Sequence, residues 1–224
     1  MASRRYDRRR RDEAMAATRM RIVAAIVELH AEIGPSRTSY AMIARRAGVA
    51  IPTAYKHFPD LAGLFAACIG HVSAAMPALG PDLFAKARTA ADRFAALIPA
   101  LFARHRHFAP WLRWSRREAH LLPDMAVYFT KMRERHLRLI RAALEPDYGA
   151  RPPRALVAIV ETLTGLDAWQ TLTAENGLSS DEAADAVVDA VIALVRSEAH
   201  RRGARRILPG AAMPAAAAKR GGRA

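Results

Sequence analysis

The sequence lacks the features of secreted and membrane proteins. Its 224 residues include a single cysteine, Cys68, which excludes a disulfide within the chain and suits a reducing cytoplasm. No segment reaches the roughly 18 consecutive apolar residues that a membrane-spanning helix needs. The charged N-terminus is not followed by an apolar run, so it does not resemble a secretory signal. Together these absences predict a cytoplasmic protein without a membrane span.

Motifs of catalysis and of metal binding are also missing. We find no nucleophile elbow, no phosphate-binding glycine loop and no paired-carboxylate site. The chain has eight histidines, but His105 and His107 lie two apart at the end of a predicted helix and therefore point in different directions. The sequence thus predicts neither an enzyme nor a bound cofactor or metal ion. A ligand-binding helical enzyme stays open as an alternative, because such an enzyme need not carry a recognisable motif.

Apolar residues recur at helical spacing, and strand-like alternation is absent, so we predict an all-α fold. The first predicted helix, for example, stops at Gly34-Pro35. The predicted helices span residues 12–33, 39–46, 51–58, 60–76, 89–105, 111–119, 124–144, 155–175 and a last segment after a capping box at 179–182. The predicted regions are a basic disordered arm at 1–11, a helix-turn-helix domain at 12–58, a linking helix with a helical bundle at 59–202, and a disordered basic tail at 203–224.

The segment TSYAMIARRAGVAIPTAYKHF, residues 38–58, has the spacing of a helix-turn-helix. Thr38 is the predicted cap of its first helix, and Gly48 supplies the left-handed residue that ends it. Pro52 falls in the first turn of the second helix, where its missing N–H is tolerated. Between residues 36 and 58 there are four basic side chains and no acidic one. The segment therefore predicts contact with DNA.

The net charge of +14 lies mainly at the two ends of the chain. Residues 1–21 carry a net +5 and residues 196–224 a net +7, which leaves only +2 for the middle. Basic segments bind polyanions because they release condensed counterions from phosphates. The tails therefore indicate nucleic-acid contact, although they could instead keep an alanine-rich protein soluble.

The run IARRAGVAIPTAYKHFPDLAGLF resembles the N-terminal domain of the TetR/AcrR family of bacterial regulators. The resemblance covers roughly fifty residues, from Arg21 to about Ile69. It departs at Ala50, where the family usually has Ser or Thr, so the second helix lacks a side-chain cap that is worth about 1 kcal/mol. The resemblance implies a homodimeric, sequence-specific DNA-binding regulator, usually a repressor, released by a small-molecule effector bound in the bundle. The alternative is a non-specific architectural DNA-binding protein that uses its Arg-rich tails.

By this resemblance, Tyr55 and Lys56 look like phosphate contacts, Thr53 like a base or backbone contact, and Thr38 and Tyr40 like anchors of the first helix. The predicted DNA-binding residues are Thr38, Ser39, Tyr40, Arg45, Pro52, Thr53, Tyr55, Lys56 and His57. A surface helix in which the tyrosine and histidine rings merely pack within the domain is the alternative.

Aromatic and polar residues of the bundle predict an effector pocket. The candidate residues are Trp111, Trp114, Glu118, Tyr128, Phe129, Met132, His136 and Trp169. Such a mixture suits an apolar molecule with one polar end, but aromatic residues at helical spacing also fill ordinary cores. Cys68 is predicted to be a small buried thiol rather than a redox sensor.

The two C-terminal helices carry a broad apolar stripe that must be buried, either in the same body or against a second copy. The stripe comprises Val187, Val188, Val191, Ile192 and Val195, beside Leu163, Leu166 and Leu172. We predict that it forms a homodimer contact of four helices, two from each subunit.

Overall fold

A computed structural model describes residues 2–76, 79–118 and 123–207, which form helices and no strand. The all-α prediction is therefore confirmed. The helices are α1 (Ala2–Ile33), α2 (Tyr40–Ala47), α3 (Ile51–His57), α4 (Leu61–Ala74), α5 (Ala90–Glu118), α6 (Pro123–Tyr148), α7 (Arg154–Leu163), α8 (Leu166–Gln170, extended by a π-helical turn, Thr171–Glu175) and α9 (Ser180–Ile207). Short 3-10 turns occupy Pro35–Arg37 and Pro81–Phe84. Within the described residues, no helix is long and apolar enough to cross a membrane.

The N-terminal domain has its own apolar core, in which α1 packs across α2 and α4. Ile22 and Ile26 of α1, Ile43 of α2 and Phe58 after α3 are all at most 1% exposed. The same core includes Leu64, Cys68 and Val72 of α4. The core thus extends into α4, beyond residue 58, where the sequence placed the domain boundary. Leu61, in the first turn of α4, lies outside this core and is 56% exposed.

The C-terminal domain is built around α5, which packs against α6 and α9. Its core contains Phe94 and Phe102 of α5, Ile140 of α6 and Val160 of α7. The core also buries the α9 stripe, since Val187, Val191 and Val195 are 4%, 0% and 2% exposed. The prediction that this stripe forms the contact with a second copy is therefore wrong for those three residues, because α5 of the same chain covers them.

Helix α5 is continuous where the sequence predicted two helices separated near residue 110. Pro99 and Pro110 both lie inside it. A proline removes its own N–H donor and disturbs one preceding carbonyl, but packing on α6, α9 and α1 holds the flanking turns in line. Helix α6 likewise continues through Pro146 to Tyr148, whose hydroxyl donates to the carbonyl of Val195 at 2.6 Å.

The helix predicted over residues 155–175 is interrupted at Thr164-Gly165. The Thr164 hydroxyl donates to the Val160 carbonyl at 2.7 Å, and Gly165 has extended backbone angles that start α8. His105 Nε2 donates to the Thr164 carbonyl at 3.0 Å, and His136 Nε2 lies 2.8 Å from its hydroxyl oxygen. The helix can break here because His105 of α5 and His136 of α6 form hydrogen bonds with the carbonyl and the hydroxyl of Thr164. These polar groups therefore have partners although the helix does not continue.

The basic N-terminal segment is helical, although the sequence predicted a disordered arm at residues 1–11. Helix α1 begins at Ala2, ten residues before the predicted start. Arginine is a good helix former, and Arg9 is paired with Glu13 one turn later at 2.8 Å. Of the predicted disordered tail at 203–224, residues 208–224 lie outside the described residues, and α9 runs to Ile207.

Candidate nucleic-acid interface and junction cavity

Helices α2 and α3 form the helix-turn-helix that the sequence predicted, with one change in the cap. The Ser39 side chain, not that of Thr38, caps α2 by accepting from the Met42 N–H at 3.3 Å. Thr38 is buried, and its hydroxyl donates to the Gly34 carbonyl at 2.9 Å. Thr38 therefore fixes the entry into α2 from inside the domain and offers no free hydroxyl to a phosphate. Gly48 ends α2 with φ +64° and ψ 43°, as expected for a left-handed residue.

Helix α3 starts without a side-chain cap, as the sequence predicted. Ala50 has the extended backbone of an N-cap, and its carbonyl accepts from the N–H of Thr53 at 2.9 Å. Ala54 is fully buried, so it is the residue that seats α3 on the domain. Because Pro52 has no N–H and the N–H of Thr53 is used within the helix, the first turn offers a phosphate at most the N–H of Ile51.

Tyr40 of α2 supports Tyr55 of α3 through a stacked pair of rings. The ring centroids are 3.8 Å apart and the planes differ by 15°. The Tyr40 hydroxyl donates to the Phe58 carbonyl at 2.6 Å, and burial together with Tyr55 and Asp60 raises the pKa of Tyr40. Tyr40 is thus committed inside the domain, while Tyr55 remains 47% exposed with its ring held in place.

The other predicted DNA-binding residues divide by exposure. Ser39, Arg45, Pro52 and Lys56 are exposed, and Thr53 and His57 are half-buried. On α3 the structure therefore exposes Pro52, Tyr55 and Lys56, and it leaves Thr53 half-buried. The carbonyl of His57 is held by Arg19 of α1 at 3.2 Å, and that guanidinium lies 4.1 Å from the centre of the Phe58 ring.

The positive charge of this surface is smaller than the sequence suggested, because Arg46 turns away from it. Arg46 forms salt bridges with Glu28 at 3.0 Å and Glu32 at 2.9 Å, both on α1. These hydrogen bonds lower the pKa of Glu32. Arg45 and Lys56 remain exposed on α2 and α3, so they carry the charge that a polyanion would meet.

The structure draws attention to two further residues here: Ile51, which the sequence did not single out, and Arg37, one of the four basic residues counted in this segment. Ile51, in the first turn of α3, is 44% exposed. An apolar side chain at this end of a recognition helix can contact a thymine methyl group. Arg37 is exposed in the 3-10 turn immediately before α2. Ile51 is identified by the exposure of its large apolar side chain in the structure. The exposure of one residue cannot be predicted from its residue type alone.

The C-terminal end of α5 clamps the C-terminal end of α1. Trp111 Nε1 donates to the Val27 carbonyl at 2.9 Å, while Arg113 and Trp114 Nε1 both donate to the Ala31 carbonyl, at 2.6 and 3.0 Å. The residue four after Ala31 is Pro35, which has no N–H, so this carbonyl has no intrahelical partner. We call Trp111, Arg113, Trp114 and Glu118 the α5 clamp.

Glu118 completes the α5 clamp on the turn that follows α1. Its carboxylate accepts from the Ser36 N–H at 2.9 Å and is 8% exposed. Gly34 has φ +86°, and a Cβ there would lie 2.6 Å from Glu118 Oε1. Only glycine fits this position, because both the backbone conformation and the approaching carboxylate exclude a side chain.

A small apolar cavity lies where the two domains meet, beneath the α5 clamp. Its volume is about 50 Å³. It is lined by His30, Pro35, Phe65, Cys68, Ile69, Val72, Phe108, Trp111, Leu112, Tyr128 and Phe129. Sites for drug-sized ligands span roughly 300–1,000 Å³, so a ligand of that size would have to enlarge this space. Burial raises the pKa of Cys68 to about 12, which keeps the thiol protonated and unreactive.

The eight predicted effector residues do not form one wall. Trp111, Tyr128 and Phe129 line the junction cavity, whereas Trp114 and Glu118 belong only to the α5 clamp. Met132, predicted to face inward, is 37% exposed.

His136 and Trp169 lie elsewhere, around the break between α7 and α8. His136 contacts Thr164, and the Trp169 indole N–H donates to the Ser180 hydroxyl at 3.1 Å. His105 lies between them, with its ring 6.2 Å from that of Trp169. The sequence thus identified aromatic positions but could not assign them to one cavity.

His105 and His107 diverge as predicted. His105 contacts the Thr164 carbonyl, and His107 Nε2 donates to the Val72 carbonyl of α4 at 2.9 Å. Among the residues that the structure describes, no three His, Cys, Asp or Glu side chains converge as metal ligands would.

The N-terminal domain matches a protein family in sequence, whereas the chain as a whole is similar to known proteins in fold. Residues 22–68 match the model of the tetR family of bacterial regulatory proteins. No curated protein matches the chain. The fold is similar to that of a tetR-family transcriptional regulator from Streptomyces coelicolor, with 18% identity, a TM-score of 0.57, and coverage of 85% of this chain and 87% of that one.

A transcriptional regulator from Streptomyces coelicolor A3(2) is similar at 24% identity and a TM-score of 0.50. The similarity covers 77% of this chain and 96% of the other. The segment that matches the family model, residues 22–68, ends inside α4, and the N-terminal core likewise includes residues of α4. Residues 22–68 thus match the tetR family of bacterial regulatory proteins, and the whole chain shares the fold of these two regulators.

Proposed function

We propose that the chain is a homodimeric repressor that reads a specific DNA site with α3 and leaves it when a small molecule enters the junction cavity. The observation that carries the DNA-binding part is the face of α3. It combines Tyr55, whose ring is stacked in place on Tyr40, with the exposed amine of Lys56. A helix entering the major groove needs such groups for phosphates and base edges.

Lys56→Ala should weaken binding to all DNA sequences by a similar factor. It should also reduce the slope of log affinity against log salt by about one unit, because one phosphate contact is lost. Thr53→Val should instead change the preference among sites. Fluorescence anisotropy on a selected site and on a scrambled duplex at several salt concentrations measures both effects.

The matched control is Lys131→Ala, which removes an exposed lysine from α6, far from α3 in the chain. This variant should retain wild-type affinity and salt slope. Equal affinity of the wild type for selected and scrambled duplexes would favour a non-specific architectural protein. Unchanged binding by Lys56→Ala at every salt concentration would exclude α3 as the DNA-reading element.

A dimer of this fold would place two α3 helices on one face of DNA. The two half-sites should then be inverted and about 34–36 Å apart, or a multiple of that distance. For the dimer contact we propose the outer faces of α7 and α9, where Ile159 is 46% exposed and Val188 and Ile192 are half-buried. These residues remain available after the inner face of α9 has packed on α5.

Release from DNA would follow from the position of the junction cavity. Side chains of α1, α4, α5 and α6 line it, so a ligand that enlarges it must move the N-terminal domain relative to the bundle. The α5 clamp ties two of these elements, α1 and α5, together, and its loss would free the end of α1. A ligand shifts this equilibrium only by its difference in affinity for the two arrangements. The apolar lining favours an aromatic or aliphatic molecule.

Filling the junction cavity should block release without preventing DNA binding. Cys68→Met adds a flexible side chain to the lining, and we expect it to raise the effector concentration needed for release by tenfold or more. Operator affinity should stay within about threefold. The assay is release of labelled DNA across a panel of aromatic and aliphatic compounds, with circular dichroism to check the fold.

The matched control is Ala66→Met, which adds the same side chain to the exposed face of α4. It should respond to effector as the wild type does. If Cys68→Met released DNA at the wild-type effector concentration, the effector would bind elsewhere.

A further inference from the structure

A groove on the C-terminal domain is lined by three arginines, none of which takes part in the contacts described above. It lies between the 3-10 turn Pro81–Phe84, the start of α5 and the second half of α6. Its volume is about 620 Å³, within the range of sites for small molecules. Arg93 comes from α5, and Arg135 and Arg138 come from α6. No residue of this groove lines the junction cavity.

Two of the arginines are fixed in place and keep donors to spare. Arg93 donates to the Ala142 carbonyl at 2.5 Å, and its guanidinium lies 5.4 Å from the centre of the Phe84 ring. Among the described residues, its Nε is a buried donor without an acceptor. Arg135 donates to the Leu79 carbonyl at 2.6 Å. A guanidinium has five N–H donors, so each side chain is anchored through part of its fork only.

The groove carries an excess of positive charge. Arg138 has an ion pair with Glu134 on the preceding turn, but at 4.0 Å it is a weak one. The single acid among the groove residues, Glu145, lies 3.5 Å from Arg93 and is 65% exposed. Three guanidinium groups beside one largely exposed carboxylate favour the binding of an anion in the groove.

The rest of the groove is apolar. Leu79, Phe84, Ala85, Leu139 and Ala142 contribute its remaining surface. A bare inorganic anion would use the guanidinium groups and leave this surface without a partner. A hydrocarbon chain or ring attached to the anion would cover it, which is favourable at about 25 cal/mol for each Å² of apolar surface removed from water.

We propose that this groove binds an amphiphilic organic anion, with a carboxylate or phosphate group on Arg135 and Arg138 and an apolar body on Phe84 and Leu139. Arginine suits this task because its planar fork matches both anions through paired hydrogen bonds. The site is separate from the DNA-binding surface and from the junction cavity. A test of this proposal is therefore independent of a test of the proposed function.

Isothermal titration calorimetry of the full-length protein tests the proposal, with octanoate and octyl phosphate as probes. Both should bind with one site per chain. The neutral 1-octanol and the short acetate should each bind at least tenfold more weakly, since each lacks one half of the ligand. Comparison of octanoate with octyl phosphate shows which anion the arginines prefer. Equal binding of octanol, or of acetate, would overturn the proposal.

The arginines are tested by Arg138→Gln, which gives up only the long ion pair with Glu134 and should leave the fold intact. It should weaken octanoate binding at least tenfold, and Arg135→Gln should do the same. Arg141→Gln, an exposed arginine of the same helix that does not line the groove, is the matched control and should bind as the wild type. Cys68→Met should also bind octanoate normally. If Arg138→Gln bound as the wild type did, or if Cys68→Met abolished binding, the groove would not be the site.

Discussion

Val191→Arg should unfold the C-terminal domain rather than separate the two subunits of a dimer. Val191 is fully buried in the core that α5 forms with α9. An arginine there would leave a charge without a partner in an apolar interior, and we expect it to lower the free energy of unfolding by roughly 4 kcal/mol or more. That loss is a large part of the 5–15 kcal/mol typical of a folded domain. Urea unfolding followed by circular dichroism measures it.

Ile159→Arg is the informative partner of this variant, because Ile159 lies exposed on α7. An exposed substitution of this kind changes stability by about 0.5 kcal/mol at most. If the outer faces of α7 and α9 form the dimer contact, Ile159→Arg should give a folded monomer by light scattering, with weakened DNA binding. A folded Val191→Arg monomer together with a dimeric Ile159→Arg would reverse both assignments and restore the α9 stripe as the contact.

The protein should lose stability as the pH falls from about 6.5 toward 4, because three histidines are held neutral inside it. Burial lowers the pKa of His30 to about 4, and burial with the nearby His105 lowers that of His136 to about 4. Burial also lowers the pKa of His105 itself. The unfolded chain, with histidine pKa values near 6.5, binds more protons in this range. Stability is therefore complete above pH 6.5 and is lost on acidification.

The size of the effect follows from the shifts. One pKa unit corresponds to about 1.4 kcal/mol, so His30 and His136 could each remove roughly 3 kcal/mol once the pH is near 4. Urea unfolding at pH 7, 6 and 5 samples the start of this loss before most carboxylates titrate. His136→Gln keeps an N–H for Thr164 but cannot take up a proton, so it should be less sensitive to acid than the wild type.

His71→Gln is the control, because His71 lies exposed on α4. Its stability should follow the wild-type dependence on pH. Equal dependence on pH in His136→Gln and the wild type would show that His136 titrates alike in the folded and unfolded protein, and the buried-neutral assignment would be wrong.

Local signals in the sequence predicted local structure well. Asp60 caps α4 by accepting from the Gly63 N–H at 2.7 Å, and Ser179 and Glu182 form the predicted reciprocal capping box. Both interactions join residues three apart, so the pattern contains all the information needed. The helix-turn-helix was predictable for the same reason, since its turn and left-handed glycine occur within a short segment, although its cap is Ser39 and not the predicted Thr38.

Contacts between distant parts of the chain were not predictable in this way. Trp114 and Glu118 were grouped with other aromatic and polar residues as a pocket wall, yet their partners lie 83 and 82 residues away in α1 and the turn after it. The interruption at Thr164 likewise depends on His105 and His136, which come from two other helices. The spacing of apolar residues identifies a buried face but does not say which helix covers it.

Pro35, which follows α1, limits the transfer of the DNA-binding domain to other proteins. Pro35 cannot supply the N–H that would close the last turn of α1, and Arg113 and Trp114 from the other domain supply donors in its place. A chimaera that joined residues 1–76 to the bundle of another regulator would carry an unfinished helix end, unless the new bundle offered equivalent donors. Modular exchange of this domain would therefore require grafting the end of α5 along with it.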